Sequence, residues 1–173
     1  MKALIVILFL SVLAAPAFAQ SKVDSEPAPD TLDRKAVKGF GGQLIVVENP
    51  RAFIEEWLKP ETPHIKPATD VKHRATLGTF VLFGGCKPDA QGVCNAEVDY
   101  TIYKPDGTVL AELKAQPLWD EQAPPAPNIQ LGKAILAFGL GDDEPDGEYK
   151  VKAKVSDRNA NISFELETKF RLK

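Results

Sequence analysis

Residues 147–172, which read GEYKVKAKVSDRNANISFELETKFRL, contain the pattern that decides the fold. Apolar residues alternate with Lys or Glu along residues 149–155, and a second alternation of the same kind runs along residues 162–172. A period of two is typical of a strand with one buried face and one solvated face. The polar residues 157–161 between them predict the turn of an antiparallel hairpin. Because such a hairpin needs a second layer over its apolar face, the rest of the chain must supply that layer.

Upstream of the hairpin, segments with strand character recur about every ten residues, with Gly, Pro or Asp turns between them. Strands are predicted at residues 43–48, 75–83, 96–103 and 108–113, with one or two more at residues 129–131 and 133–140. A short helix is predicted at residues 51–58, because Asn49 is a suitable N-cap, Pro50 suits the first helical position, and Pro60 stops the helix. Residues 114–128, which contain four prolines, are predicted to form a long loop. About seven strands and one short helix predict an all-β, antiparallel sandwich.

The pattern Gly-x-Tyr-x-Val at residues 147–151 resembles the tyrosine corner of immunoglobulin-like and fibronectin type III-like domains. The resemblance covers roughly residues 40–173, concerns the fold alone, and points to an exported bacterial relative of that architecture. It implies an immunoglobulin-like β-sandwich in which the tyrosine hydroxyl binds backbone a few residues upstream. Two features depart from antibody domains: Val151 stands where they have a cysteine, and Cys86 and Cys94 are too close in sequence to join two sheets.

Residues 1–19 have the three parts of a secretory signal peptide. Lys2 supplies the positive charge, residues 3–14 are apolar apart from one serine, and Ala-Phe-Ala at residues 17–19 is a small-x-small cleavage site. The apolar run is too short to cross about 30 Å of hydrocarbon, and no second run approaches that length. We therefore predict cleavage after Ala19, a periplasmic or secreted location, and a mature chain without a membrane span.

The remaining chain divides into a leader and one domain. Residues 20–38 are rich in Ser, Pro and charged residues and lack an apolar period, which predicts a disordered leader. Residues 39–173 are predicted to form the immunoglobulin-like β-sandwich, a length that suits one domain. The whole chain has a formal net charge of −3. Because nucleic-acid binding usually requires a basic surface, we expect no nucleic-acid partner.

Cys86 and Cys94 are predicted to form a disulfide, because an even cysteine count in an exported protein usually reflects pairing. The bridge would close a hairpin loop, since Cys86 follows one predicted strand and Cys94 precedes the next. A loop of this size should contribute roughly 2–3 kcal/mol in the chain-entropy treatment. The alternative is a pair of thiol metal ligands, for which both histidines are distant in sequence.

One acidic turn has part of a calcium-binding pattern. Asp142, Glu144, Asp146 and Gly147 match positions 1, 3, 5 and 6 of a calcium loop. Position 12 is Ala153, however, where the pattern requires a bidentate glutamate. We interpret the segment as a solvated turn, with a weak calcium site as the alternative.

Catalytic motifs are missing from the sequence. It has no nucleophile elbow, no recognisable pair of catalytic carboxylates and no phosphate-binding glycine loop. The glycine-rich residues 39–42 precede a predicted strand, so they cannot present a helix N-terminus to phosphate. His64 and His73 have no partner at metal-ligand spacing. We predict no catalytic residue, no cofactor and no metal, and hence a protein that is not an enzyme.

Tyr103 and Trp119 are the candidate residues for a ligand or partner face. Tyr103 falls on the solvated side of its strand, whereas Trp119 lies in the predicted long loop, where the favoured interpretation is that it packs against the domain and holds the loop. The sequence favours a non-catalytic interaction or accessory module with a protein partner in the periplasm or outside the cell. Two alternatives remain: a module that binds carbohydrate or another small ligand through these aromatic residues, and a hydrolase whose site no motif identifies.

Overall fold

The computed structural model describes residues 29–61 and 63–173. The predicted signal peptide and residues 20–28 of the predicted leader lie outside the described residues. The elements in chain order are β1 (Arg34–Val37), β2 (Phe40–Glu48), α1 (Pro50–Trp57), β3 (Asp70–Val71), β4 (Thr76–Gly84), β5 (Ala96–Tyr103), β6 (Val109–Trp119), β7 (Gln130–Leu131), β8 (Leu136–Gly139), β9 (Gly147–Asp157) and β10 (Ile162–Leu172). The prediction of an all-β protein with one short helix is confirmed. The described strands number ten rather than about seven, because short strands such as β1 and β3 add to the long ones.

The strands form two five-stranded sheets. Sheet A has the order β1-β2-β4-β7, and β8 pairs with β4 beside β7. Sheet B has the order β3-β10-β9-β5-β6. The pairings between these strands are antiparallel, except that β3 and β10 are parallel. Among the described residues, no helix is long and apolar enough to cross a membrane.

The predicted C-terminal hairpin is confirmed with its register. β9 and β10 pair along their whole length, from Gly147 opposite Leu172 to Asp157 opposite Ile162. The apolar residues of β9 face the core, with relative exposures of 1% or less: Tyr149, Val151, Ala153 and Val155. The other face carries cross-strand ion pairs, which contribute little at an exposed surface. The hairpin is therefore held mainly by burial of its apolar face.

The inner strands of sheet A are buried on both faces. In β2, Leu44 and Val46 belong to the core between the sheets, whereas Ile45 and Val47 belong to a second apolar cluster on the outer face. Helix α1 covers that outer cluster, and the ring of its Phe53 lies 4.9 Å from the ring of Phe80 in β4. The predicted helix start is also confirmed, since the Asn49 side chain accepts a hydrogen bond from the Ala52 N–H at 3.2 Å. A continuous apolar run is what a strand covered on both sides requires.

Regular structure is present before the predicted domain boundary at Gly39. Strand β1 lies within the predicted disordered leader and pairs with β2. Its order comes from tertiary contacts: the carbonyl of Asp33 accepts from the Leu44 N–H of β2, and the carbonyl of Leu32 accepts from the Glu167 N–H of β10, each at 2.7 Å. This segment therefore joins the two sheets, which its polar composition alone does not indicate.

The predicted loop at residues 114–128 is wrong in its first part, because strand β6 continues to Trp119. β6 lies at the edge of sheet B, where the missing N–H of Pro117 need not cost a ladder hydrogen bond. The strand is irregular at this end: Ala115 has a φ of 49°, and its N–H donates to the Asp99 carboxylate at 2.7 Å. Tertiary pairing with β5 thus overrides the turn-forming composition of the segment.

Candidate functional site

A groove lies on the outer face of sheet A, where β1, β2 and β4 run side by side. Ala36 pairs with Gly41, and Gly41 pairs with Gly84, so small residues form a row across the three strands. Gly41 shares the outer face with Ile45, because residues four apart in a strand lie on the same side. The groove has a volume of about 250 Å³. We call it the glycine groove and define it by six of its lining residues, namely Arg34, Ala36, Gly41, Leu82, Gly84 and Ile129.

The two sides of the glycine groove differ in chemistry. On one side lie Leu82, which is buried, and Ile129, whose side chain is 64% exposed. On the other side lies Arg34 of β1, two residues before Ala36 and therefore on the same face of the strand. The Arg34 Nη2 donates to the Pro29 carbonyl at 3.2 Å, and its buried Nε has no hydrogen-bond partner among the described residues. The groove thus combines apolar surface with a basic side that has unused donors.

Neither backbone conformation nor crowding requires the two glycines on the floor of the groove. Gly41 and Gly84 have no positive φ, and an added Cβ would meet its nearest neighbours only at ordinary contact distances of 3.5 Å or more. By contrast, Gly85 has a φ of 75°, and a Cβ there would collide with the Gly39 carbonyl. A glycine within a strand lowers stability and often marks a place where a ligand or another backbone approaches closely.

The acidic turn does not bring its carboxylates to one point. Arg74 binds Asp142, with 2.9 Å between Nε and Oδ1, and this hydrogen bond lowers the pKa of the carboxylate. His73 bridges the turn, since its Nδ1 lies 2.9 Å from the Gly141 carbonyl and its Nε2 lies 2.8 Å from Asp146. Hydrogen bonds to Gly141 and Asp146 raise the pKa of His73. Within the described residues, no group of three or more His, Cys, Asp or Glu side chains is placed to hold a metal ion.

Glu144, at position 3 of the weak calcium pattern, contacts Lys104 and Tyr149. Its carboxylate pairs with Lys104 at 2.9 Å and lies 3.4 Å from the Tyr149 hydroxyl. That hydroxyl donates to the Pro145 carbonyl at 3.0 Å, which confirms the predicted upstream backbone partner. The ring stacks on Phe170 with 5.2 Å between centroids, and burial raises the pKa of Tyr149 to about 12. These contacts fasten the acidic turn to the sandwich.

Tyr103 and Trp119 lie far apart. Tyr103 pairs with Val109 at the start of β6, whereas Trp119 is the last residue of that strand. The Trp119 ring packs on Phe83, with 5.5 Å between centroids, and the Lys133 Nζ lies 5.9 Å from the indole ring centre. The structure therefore does not place the two aromatic residues on a shared ligand face.

The disulfide between Cys86 and Cys94 is present. The prediction that it closes a hairpin loop is wrong, because the bridged segment connects β4 of sheet A to β5 of sheet B and these strands do not pair. A buried carboxylate supports the loop that the disulfide closes. Asp157, which is 1% exposed, accepts hydrogen bonds from the Lys87 N–H at 2.7 Å and from the Ala160 N–H at 3.0 Å. Sequence analysis assigned Asp157 only to the hairpin turn. A lone aspartate in a polar turn has no signal that distinguishes a buried anchor from a solvated side chain.

Sequence analysis also missed the glycine groove. The only local signal was a glycine pair in each of two otherwise apolar segments, Gly41-Gly42 and Gly84-Gly85. The first pair was interpreted only as preceding a predicted strand, and the second lies just after the strand predicted at residues 75–83. Their shared role depends on the register between β2 and β4, which places Gly41 opposite Gly84.

Neither a protein-family model nor a curated protein matches this chain. Among solved structures, it is similar to a family 123 glycoside hydrolase from Clostridium perfringens, with a TM-score of 0.45, 9% identity, and coverage of 76% of this chain and 27% of the other. It is also similar to Pseudomonas fluorescens alkylpurine DNA glycosylase AlkC bound to DNA, with a TM-score of 0.35, 17% identity, and coverage of 61% and 28%. The chain thus spans little more than a quarter of either protein. Similarities this low support no statement about activity.

Proposed function

We propose that this chain is a non-catalytic, exported interaction module that binds a protein partner through the glycine groove. One observation carries the proposal: two strands leave bare glycine backbone on an exposed sheet face beside an exposed Ile129, where neither conformation nor packing requires glycine. Exposed apolar surface next to polar residues is typical of interaction sites. A bare sheet surface also lets a partner approach closely.

The size of the groove favours a protein partner over a free small molecule. Its volume of about 250 Å³ lies below the roughly 300–1,000 Å³ of typical small-molecule pockets. A space of this size suits one anchoring side chain, and anchors of that kind carry much of the binding energy at protein interfaces.

The distribution of shifted pKa values supports a non-catalytic role. An active site usually gathers groups with perturbed pKa values in one cleft. Around the acidic turn, the pKa of His73 is raised mainly by its hydrogen bond to the Gly141 carbonyl, whereas the pKa values of Asp142 and Lys104 are shifted mainly by hydrogen bonds to their ion-pair partners Arg74 and Glu144. Arg34 is the titratable residue of the six that define the groove, and its role there is that of a hydrogen-bond donor.

We propose that the two-sheet fold is immunoglobulin-like. The neighbouring strands β2, β4 and β8 follow the order A-B-E of that fold, and β10, β9 and β5 follow the order G-F-C, with β6 as an additional edge strand. The hydrogen bond from Tyr149 to Pro145 at the start of β9 supports the same assignment, because strand F carries the tyrosine corner.

The proposed location is periplasmic or secreted. Two features support it: the signal-peptide pattern of residues 1–19 and the disulfide between Cys86 and Cys94, which is typical of an oxidising compartment.

Site-specific photocrosslinking in the producing cells tests the proposed function. A photoreactive amino acid replaces Ile129 or Ala36 in the groove, or Lys114 in the edge strand β6 of sheet B as the control. We expect one protein to be captured from both groove positions and not from position 114. Capture from position 114 alone, or no capture from either groove position, would contradict the proposal.

A further inference from the structure

We infer that the glycine groove takes one aromatic side chain of the partner, and that Arg34 binds a carboxylate beside that side chain. This inference rests on the proposed function, because it specifies the segment that the same groove would bind. The partner segment is thus aromatic and acidic.

The shape of the groove floor favours a flat ring. The row from Ala36 through Gly41 to Gly84 crosses three strands, which spans about 10 Å at the usual strand spacing. Ala36 supplies the one side-chain methyl group of this row, so most of the groove floor is flat sheet backbone. Leu82 and Ile129 supply apolar contact at the side. Aromatic side chains bury about 150–250 Å² each and lose few rotamers on binding, so they suit such a floor better than a branched aliphatic chain.

The charge beside the groove favours an acidic neighbour. Two carboxylates lie close to β1, and both bind donors other than the Arg34 guanidinium. Asp30 lines the groove and accepts a hydrogen bond from the Ala36 N–H at 3.2 Å, and Asp33 accepts one from the Thr31 hydroxyl at 2.7 Å. The Arg34 guanidinium, by contrast, makes one hydrogen bond among the described residues, to a backbone carbonyl. A guanidinium has five N–H donors and commonly binds a carboxylate through two of them. A carboxylate of the partner would therefore satisfy donors that this part of the chain leaves unused.

Filling the groove from within tests the aromatic part of the inference. Gly84→Val adds a side chain where an added Cβ meets only the Asn128 carbonyl at 3.5 Å, so the variant should fold. Gly139→Val is the matched control: Gly139 lies in β8 of the same sheet, without a positive φ and with open space around it. The probe is a fluorescent nine-residue peptide with a central Phe flanked by two Glu on each side.

We expect the wild-type protein and Gly139→Val to bind this probe with the same affinity, measured by fluorescence anisotropy. Gly84→Val should bind at least tenfold more weakly, because its isopropyl group occupies the space of the ring. Circular dichroism confirms that both variants are folded. Equal affinity of Gly84→Val and wild type would overturn the inference.

Substitutions in the protein and in the peptide test whether Arg34 binds an acidic residue of the partner. Arg34→Gln should weaken binding about tenfold, whereas Lys114→Gln, in the edge strand β6 of sheet B and outside the groove lining, should leave it unchanged. A peptide with Lys in place of Glu, and a second with Ala in place of Phe, should each bind at least tenfold more weakly than the probe. If the Lys-flanked peptide binds as well as the Glu-flanked one, the acidic part of the inference is wrong.

Two further outcomes would assign the groove to another occupant and overturn the inference. Self-association of the wild type that Gly84→Val abolishes, seen by sedimentation, would identify a second copy of the chain. A large gain in probe affinity after deletion of residues 20–28 would identify the chain's own leader. If groove positions still capture a protein by photocrosslinking while no peptide binds, the proposed function stands and only the partner chemistry is wrong.

Discussion

Replacing Asp157 tests whether its carboxylate joins the disulfide loop, at Lys87, to the turn of the C-terminal hairpin, at Ala160. In Asp157→Ala, the N–H groups of Lys87 and Ala160 lose the carboxylate that accepts their hydrogen bonds at 2.7 and 3.0 Å. Because Asp157 is only 1% exposed, water cannot readily replace it. An unsatisfied buried donor costs about 1–3 kcal/mol, so losing the acceptor for two donors should lower the free energy of unfolding by about 2–6 kcal/mol.

Urea denaturation measures this loss, and two variants serve as controls. Asp157→Asn keeps one acceptor oxygen and should cost about half as much as Asp157→Ala. Asp143→Ala removes an exposed carboxylate of the acidic turn and should stay within about 0.5 kcal/mol of the wild type. In thermal unfolding, a loss of 2 kcal/mol corresponds to at least about 4 °C for a domain of this size.

Hydrogen exchange locates the effect. The amide protons of Lys87 and Ala160 should lose protection in Asp157→Ala, while those in the middle of β9 should exchange only as fast as the lower global stability allows. If Asp157→Ala unfolds at the same urea concentration as Asp143→Ala, the carboxylate does not anchor the loop, and the argument from buried donors fails.

Three further changes are expected to alter the free energy of unfolding, measured by urea or thermal denaturation. Tyr149→Ala should cost about 3–5 kcal/mol and Lys152→Ala no more than about 0.5 kcal/mol, because the first is buried and the second is solvated; equal costs would show that the register of β9 is wrong. The double variant Cys86→Ser, Cys94→Ser should lose roughly 2–3 kcal/mol yet keep its circular dichroism spectrum, and loss of that spectrum would show that the bridge is required for folding. Because the pKa of His73 is raised in the folded state, protonation of this side chain stabilises the fold. This stabilisation is fully present below the ordinary histidine pKa of 6.5 and is lost as the pH rises through the folded-state pKa. His73→Gln should therefore flatten the dependence of the melting temperature on pH in that window, and an unchanged slope would contradict the bridge to the acidic turn.

The C-terminal hairpin was predictable because its signals are local. Alternation of period two fixes which residues of β9 and β10 face the core, and the five residues between them are polar. The hydrogen bond of Tyr149 is local as well, since its hydroxyl reaches the Pro145 carbonyl only four residues upstream. A local pattern gives the right answer wherever tertiary contacts agree with it.

The elements that sequence analysis missed depend on distant partners. Strand β1 has only four residues, half of them charged, and it is held by pairing with β2 and by a nearby hydrogen bond between Leu32 and β10. Gly41 and Gly84 meet across the sheet although a long stretch of chain, including α1, lies between them. Asp157 contacts Lys87 across 70 residues. Such contacts follow from register and packing, which composition and spacing do not determine.

The burial of β2 and β4 on both faces has a consequence for the unfolded chain. Leu44–Val47 in β2 and residues 80–83 in β4 consist of apolar residues with high strand propensity, without proline or charge. Segments of this kind readily pair with copies of themselves on other chains. The native pairing of these two strands must wait until the intervening residues 49–75, including α1, allow them to meet, and pairing between distant segments is slow. Intermolecular association therefore competes with folding at this pair of strands, and the yield of refolded protein should fall as its concentration rises.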